Sequence, residues 1–343
     1  MNIELIVPCY NEEKCIELFY NRICEVFKEN KRLSEKDFLI TFINDGSRDN
    51  SVSEMKRISE KDKRVRYISL SRNFGKESAM YAGLSNSIGD YVAVLDADLQ
   101  HPPELMEEML IAIEDEGYDC ASARRVSRKG EPVIRSAFSR AFYHIINKVT
   151  SMDLTPGGTD YRLMKRTVVD AIVSMGEHER FTKGIYSWVG FKNKWIEYHN
   201  VERVAGKTTW SFWGLIKYAY SGFIAFATTP LRGVIYFGLL VVLGAVVFAA
   251  SVFIDAIRNP EALRTGYNTI LIVLLLLGGV IIVILGMIGE YMARIYMEVK
   301  NRPIYIIGDT NISYDKKREI NVSLKDSTDC CDNSDKKSDE SVL

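Results

Sequence analysis

Two carboxylates and an amide stand at alternate positions at the end of an apolar run, as Asp96, Asp98 and Gln100 of YVAVLDADLQ. Side chains of an extended chain alternate between faces, so the three share one side if that conformation persists. Such oxygen donors suit a hard divalent cation, magnesium or manganese, which binds carboxylates and is commonly shared with substrate phosphates. The same acids would equally serve the start of a helix at Pro102-Pro103, where a capping side chain precedes proline in the first turn.

Something must hold that triplet. Residues 1–125 alternate short β-type runs (IELIVP, FLITFIND, VRYISLS, YVAVLDAD, YDCASAR) with charged amphipathic stretches. This alternation predicts an α/β domain with a mostly parallel sheet wrapped by helices. Ligands bind at the carboxyl ends of the strands in such sheets, which singles out residues 8–12, 44–49, 71–76 and 96–100. A helix is expected over residues 131–150, with Arg135 and Ser139 four apart on one face. A second helix is expected over 167–175 and a strand over 194–203.

The 343 residues carry 44 Lys and Arg against 45 Asp and Glu, a balance that argues against a nucleic-acid partner. Six cysteines without CxxC spacing argue against both a disulfide framework and a cysteine zinc site. The start, MNIELIVPCYNEE, has no basic n-region and no long apolar core, so no cleaved signal peptide is expected and the bulk should stay cytoplasmic.

The near-neutral average hides two long apolar runs. No charged residue lies between Arg232 and Asp255 or between Arg264 and Glu290, and each gap exceeds the roughly 20 residues needed to cross a bilayer. A transmembrane hairpin is therefore expected over 232–296, with spans near 233–254 and 268–289. The aromatic stretch 210–231 is interrupted by Lys217 and reads as interfacial helices. Lys217 and Arg232 precede the first span while Arg294, Lys300 and Arg302 follow the second, which places both ends in the cytoplasm. The expected divisions are a catalytic domain over 1–209, a cytosolic extension over 297–314, and a disordered tail over 315–343 rich in Ser, Asp and Lys.

Taken in order, IVPCYNEE (6–13), INDGSRDNS (43–51), SLSRNFGKESAMYAGL (69–84), DADLQHPPE (96–104), GGTDYRLMKR (157–166), RFTKG (180–184) and RVAGKTTW (203–210) resemble a known family. They are similar to the family 2 glycosyltransferases of GT-A fold. Within these they resemble polyprenyl-phosphate enzymes such as bactoprenol glucosyl transferases and dolichyl-phosphate mannose synthases. The resemblance covers residues 1–310.

The resemblance implies donor contacts at Pro8, Tyr10, Glu12, Asp45, Lys76 and Asp96, and a metal held by Asp96, Asp98 and Gln100. It implies that Asp160 faces the reacting sugar, acting with Asp96 and Asp98, and that Arg124, Arg135 and Ser139 bind the acceptor phosphate. Arginine suits a phosphate because its planar fork donates two hydrogen bonds at once. Arg203 and Lys207 would close over the donor, although Thr208-Thr209 stands where the family usually has a serine-lysine pair. His101 replaces a common acid and leaves a nitrogen ligand open.

The implied enzyme is an inverting transferase at the cell membrane that passes a sugar from a nucleotide sugar to polyprenyl phosphate. UDP-glucose leads; N-acetylglucosamine, mannose and formamido-arabinose donors stay open, and relatives suggest a tetramer. A processive polysaccharide synthase would carry a QxxRW segment, which is not found in this sequence. A catalytically silent nucleotide-sugar scaffold is the remaining alternative.

Overall fold

The computed structural model describes residues 1–126, 155, 157–178, 180–198 and 267–313, with some positions between 236 and 254. The first strand, β1 (Asn2–Cys9), is almost continuously apolar and buried, as a strand covered on both faces must be. It is followed by α1 (Glu13–Glu29), the short α2 (Lys31–Ser34), β2 (Asp37–Asn44), α3 (Ser51–Lys61), β3 (Val65–Leu70), α4 (Lys76–Ser85), β4 (Tyr91–Val94), α5 (Leu105–Glu114) and β5 (Cys120–Arg125). The run continues through β6 (Gly158–Lys165), α6 (Arg166–Ser174), α7 (Thr182–Trp188), β7 (Asn193–Tyr198), the long α8 (Tyr267–Val299) and β8 (Ile307–Thr310).

These strands form one sheet in the order β7-β5-β6-β4-β1-β2-β3-β8. Strands β1 to β4 are mutually parallel where they pair, as are β5 and β7, whereas β6 and β8 run antiparallel to their neighbours. The α/β expectation holds, with two reversed strands the alternation did not reveal. Buried side chains divide between two clusters. One contains Phe19, Phe42, Met109 and Tyr161; the other contains Ile6, Met80, Val168 and Ile185.

The helix expected over 167–175 is α6. The strand expected over 194–203 is β7, and residues 199–203 lie outside the described residues. The helix expected over 131–150, the interfacial segment 210–231 and the tail 315–343 also lie outside them.

Strand β8 joins the sheet from beyond the apolar region. Ser71 donates its N–H to the Ile306 carbonyl (2.9 Å), and the Thr310 hydroxyl donates to the Tyr67 carbonyl (2.6 Å). Asn311 accepts from the Tyr67 N–H (2.9 Å) and donates to the Val65 carbonyl (3.2 Å), closing the edge of β3. The sheet thus includes residues past the expected 1–209 boundary.

Helix α8 has 33 residues. At 1.5 Å per residue it is about 50 Å long, against about 30 Å of bilayer hydrocarbon. Its segment Leu277–Val299 is long and apolar enough to cross a membrane, the one such helix among the described residues. Leu274, Ile281, Ile282 and Leu285 are exposed along it. The described positions between 236 and 254 are helical, and Tyr236, Leu240, Leu243 and Val247 are exposed there. Residues 255–266, which would join the two spans of the expected hairpin, lie outside the described residues. At the charged end of α8 the Glu298 carboxylate accepts the N–H of His178, tying the helix to the loop after α6 (2.8 Å).

Candidate active site

Strands β1, β2 and β4 all present their carboxyl ends at one edge of the domain, and three loops meet there. The first leaves β1 through Asn11, whose φ of 56° is left-handed. Its N–H donates to Ser47 (2.9 Å), and its side-chain oxygen accepts from the Arg48 N–H (2.8 Å), locking this loop to the one after β2. Glu12 donates its N–H to Ser51 (2.9 Å), and its carbonyl accepts from Cys15 and Ile16 at the head of α1. Pro8 is half-buried at the end of β1, and Tyr10 projects into solvent.

Asp45, buried where β2 ends, holds the third loop. Its two carboxylate oxygens accept the N–H groups of Phe74 (2.7 Å) and Gly75 (3.0 Å). Burial pushes its carboxyl up, against the pull of these two donors. A Cβ on Gly46, whose φ is +65°, would stand 2.4 Å from the Asn73 nitrogen, so loops 45–51 and 73–75 approach as closely as glycine permits.

This clamp sets the start of α4 and aims Lys76 into the site. Its ammonium lies 2.6 Å from Asp96 Oδ1 and 2.9 Å from Asp160 Oδ2. Asp96 follows β4, and Asp160 sits in β6, antiparallel beside it. Burial alone would lower the Lys76 pKa, but Asp160 and Asp96 hold its ammonium well above the ordinary range. Burial would likewise raise both carboxyls; Lys76 reverses this, aided by His101 at Asp96 and by Lys183 at Asp160, so both stay ionised.

The expected alternation of Asp96, Asp98 and Gln100 does not persist. Strand β4 ends at Val94, and Leu99 is left-handed with φ 54°. This turns the chain so that the Gln100 N–H donates to Asp98 Oδ1 (3.1 Å). A left-handed leucine is a strained backbone held by its surroundings. Asp98 is 9% exposed. His101 pairs through Nδ1 with the Tyr198 hydroxyl (2.7 Å), and its Nε2 faces Asp96 Oδ2 at 3.8 Å.

Among the described residues no three His, Cys, Asp or Glu side chains group closely enough to cage a metal by themselves. That donor set still fits magnesium or manganese, which take one or two carboxylates and complete their shell from water and substrate phosphates. Of the acceptor candidates, Arg124 is described and faces Glu197 at 3.7 Å. Arg135, Ser139, Arg203 and Lys207 lie outside the described residues.

Residues 4–173 match the family described as Glycosyl transferase family 2. CsbB of Bacillus subtilis (strain 168) is 41% identical over 310 residues, spanning 90% of this chain and 92% of its own. The chain belongs to glycosyl transferase family 2. This transferase is also 39% identical over 307 residues to the prophage bactoprenol glucosyl transferase homolog of Escherichia coli (strain K12), covering 90% of this chain and 98% of that one. The bactoprenol glucosyl transferase of Shigella phage SfII is 39% identical over the same length, with 90% and 97% covered.

Two features of the transferase were not apparent in the sequence. The Tyr198 hydroxyl supports His101 from β7, far along the chain. Lys183, within the RFTKG segment, sends its ammonium to the Gly158 carbonyl (3.2 Å) beside Asp160. That segment marks the region without revealing which side chain turns inward.

Proposed function

We propose that the chain transfers a hexose, glucose foremost, from a UDP-sugar to the phosphate of a polyprenyl lipid at the membrane face. The observation that carries this reading is the convergence of Asp96 and Asp160 on Lys76 at the carboxyl end of the sheet, with Asp98 two residues beyond Asp96. It occurs in a chain matching bactoprenol glucosyl transferases over nearly their whole length.

The acceptor is a phosphate monoester with a second pKa of about 6, largely ionised at neutral pH, so strong general-base help is unnecessary. Asp160, kept ionised by its lysine neighbours, suits a different task. It orients sugar hydroxyls and stabilises positive charge developing at the anomeric carbon. Lys76 supplies a cation beside the departing diphosphate. Asp96, Asp98 and the Gln100 amide would hold magnesium or manganese, whose Lewis acidity lessens the charge of the leaving group. The acceptor enters in line, opposite that leaving group, and inverts the anomeric centre.

The apolar surface of α8 supports membrane attachment, and the basic residues Lys217, Arg232, Arg294, Lys300 and Arg302 flanking the apolar runs favour the catalytic domain and both termini on the cytoplasmic side. Residues 300–306 are all that separate α8 from β8, which favours a catalytic edge held at headgroup height. Arg124, Arg135, Ser139, Arg203 and Lys207 would receive the phosphate and close over the donor.

The test is transfer from labelled UDP-glucose, UDP-N-acetylglucosamine and GDP-mannose to undecaprenyl phosphate by the purified full chain in detergent. A lipid-linked product from one donor, abolished by EDTA and by Asp98→Ala, is expected. No product from any donor would overturn the reading.

A further inference from the structure

Asp160 shares its face of β6 with Gly158 and Arg162, because alternate residues of a strand point the same way. On that face lies a cavity of about 270 Å³, walled by Arg162, by Lys183, Tyr186 and Ser187 of α7, and by Trp195 of β7. Its lining is unlike either hydrophobic cluster. Arg162 is 6% exposed, and its guanidinium lies over the Tyr186 ring, 3.3 Å from the centroid. The Arg162 Nε–H and the Tyr186 hydroxyl are both buried without a hydrogen-bond partner among the described residues. Buried polar groups are nearly always paired, and each exception calls for a reason.

The opposite wall is aromatic. The Trp195 indole lies against Gly158, so that a Cβ there would approach its Cη2 to 2.9 Å. The occupant must therefore offer hydroxyls to a buried N–H and a buried O–H and lay an apolar face on aromatic rings. A pyranose ring has both properties, and the lining residue Thr159 is the chain neighbour of Asp160. The volume is below the roughly 300–1,000 Å³ of pockets for drug-sized ligands, which suits one sugar ring and excludes a whole nucleoside diphosphate. Arg162 and Lys183 would also attract a phosphate, but a phosphate leaves Trp195 and Tyr186 without a matching surface.

We infer that this cavity receives the hexose of the donor, and that Arg162, Tyr186 and Trp195 select which hexose is accepted. This deepens the proposed transfer reaction and rests on it. Selectivity follows from pairing: an epimer that cannot reach Arg162 Nε–H or Tyr186 Oη leaves that group unpaired and is penalised.

The experiment compares UDP with UDP-glucose, UDP-galactose and UDP-N-acetylglucosamine by titration calorimetry on the full chain in detergent with magnesium. Wild type should bind one UDP-hexose about 10-fold or more tighter than UDP. Ser187→Phe, which fills the cavity from its rim, should erase that difference while leaving UDP affinity unchanged. Tyr186→Phe, a change of one oxygen, should narrow the gap between epimeric donors. The inference is overturned if UDP-hexose binds no tighter than UDP to the wild type, or if Ser187→Phe keeps the difference. It is also overturned if the variants weaken polyprenyl phosphate instead, which would make the cavity an anion site. A hexose increment lost in Ser187→Phe, with no transfer to lipid by the wild type, would sustain the pocket and refute the acceptor proposed above.

Discussion

The ammonium of Lys76 is 2.9 Å from the carboxylate of Asp160, 84 residues further along the chain. The contact requires three separate elements: α4, whose start is fixed by the Asp45 clamp on Phe74 and Gly75; β4, which ends beside Asp96; and β6, which runs antiparallel to β4 and brings Asp160 alongside. Two carboxylates crowded into a partly buried site repel, and a cation between them keeps both ionised. The site is thus preset electrostatically before a donor arrives.

Replacing Lys76 tests this presetting. Lys76→Met removes the ion-pair partner shared by Asp96 and Asp160, so burial and their mutual repulsion raise both pKa values. Because the native carboxyls lie below their ordinary value of about 3.9, the stability they confer is complete above that value. It is lost as pH falls through their depressed folded values. The variant should lose that contribution at neutral pH and show an acidic limb of kcat/KM displaced to higher pH. A pH–rate profile identical to wild type would remove Lys76 from the electrostatics of the site.

Gly46 sets a steric limit on the same clamp. Gly46→Ala places a methyl group 2.4 Å from the Asn73 nitrogen at a φ of +65°. The cost should be about 1–3 kcal/mol, read as a lower thermal midpoint, with weakened donor binding because loop 73–75 must move. Unchanged melting would show that the loops separate freely.

Strands β1 to β5 were legible because each is a short apolar run bounded by polar loops. Asp96, Asp98 and Asp160 stood out because their residue types recur in recognisable segments. Four features were hidden for physical reasons. The turn at Leu99 overrides period-2 alternation and can be read only from its φ. Helix α7 is seven residues long, too short for periodicity to declare itself. Strand β8 is four residues of mixed polarity, and the bond from its Thr310 to Tyr67 of β3 spans 243 residues. The pairing of Asp45 with loop 74–75 was likewise invisible, since buried backbone donors leave no mark in a sequence.

Asn311 offers a way to measure what β8 contributes. Asn311→Ala leaves the Tyr67 N–H and the Val65 carbonyl without their side-chain partner. An abandoned buried donor or acceptor costs about 1–3 kcal/mol, and solvent at this edge places the expected loss at the low end. Amide exchange at Tyr67 should accelerate, while transfer by the folded protein stays close to wild type. Exchange at Tyr67 unchanged from wild type would mean that the strand holds without its asparagine.

At the far end of β1, away from the site, Glu4 is fully buried and anchors a separate network. Its carboxylate accepts from the Thr41 hydroxyl (2.7 Å), from the Ile88 N–H (2.7 Å) and the Gly89 N–H (3.0 Å), and pairs with Arg66. Glu4→Ala would strand Arg66 and leave two backbone donors unpaired, and breaking a buried pair from one side costs about 3–5 kcal/mol. Denaturant titration should show that loss. Glu4→Gln, which keeps an acceptor oxygen but not the charge, should fall between Glu4→Ala and wild type. Donor affinity of the folded fraction should be unaffected in both, because the network lies at the opposite end of the strands from Lys76 and Asp160. A change in donor affinity at full folding would instead mean that the sheet transmits strain from one end to the other.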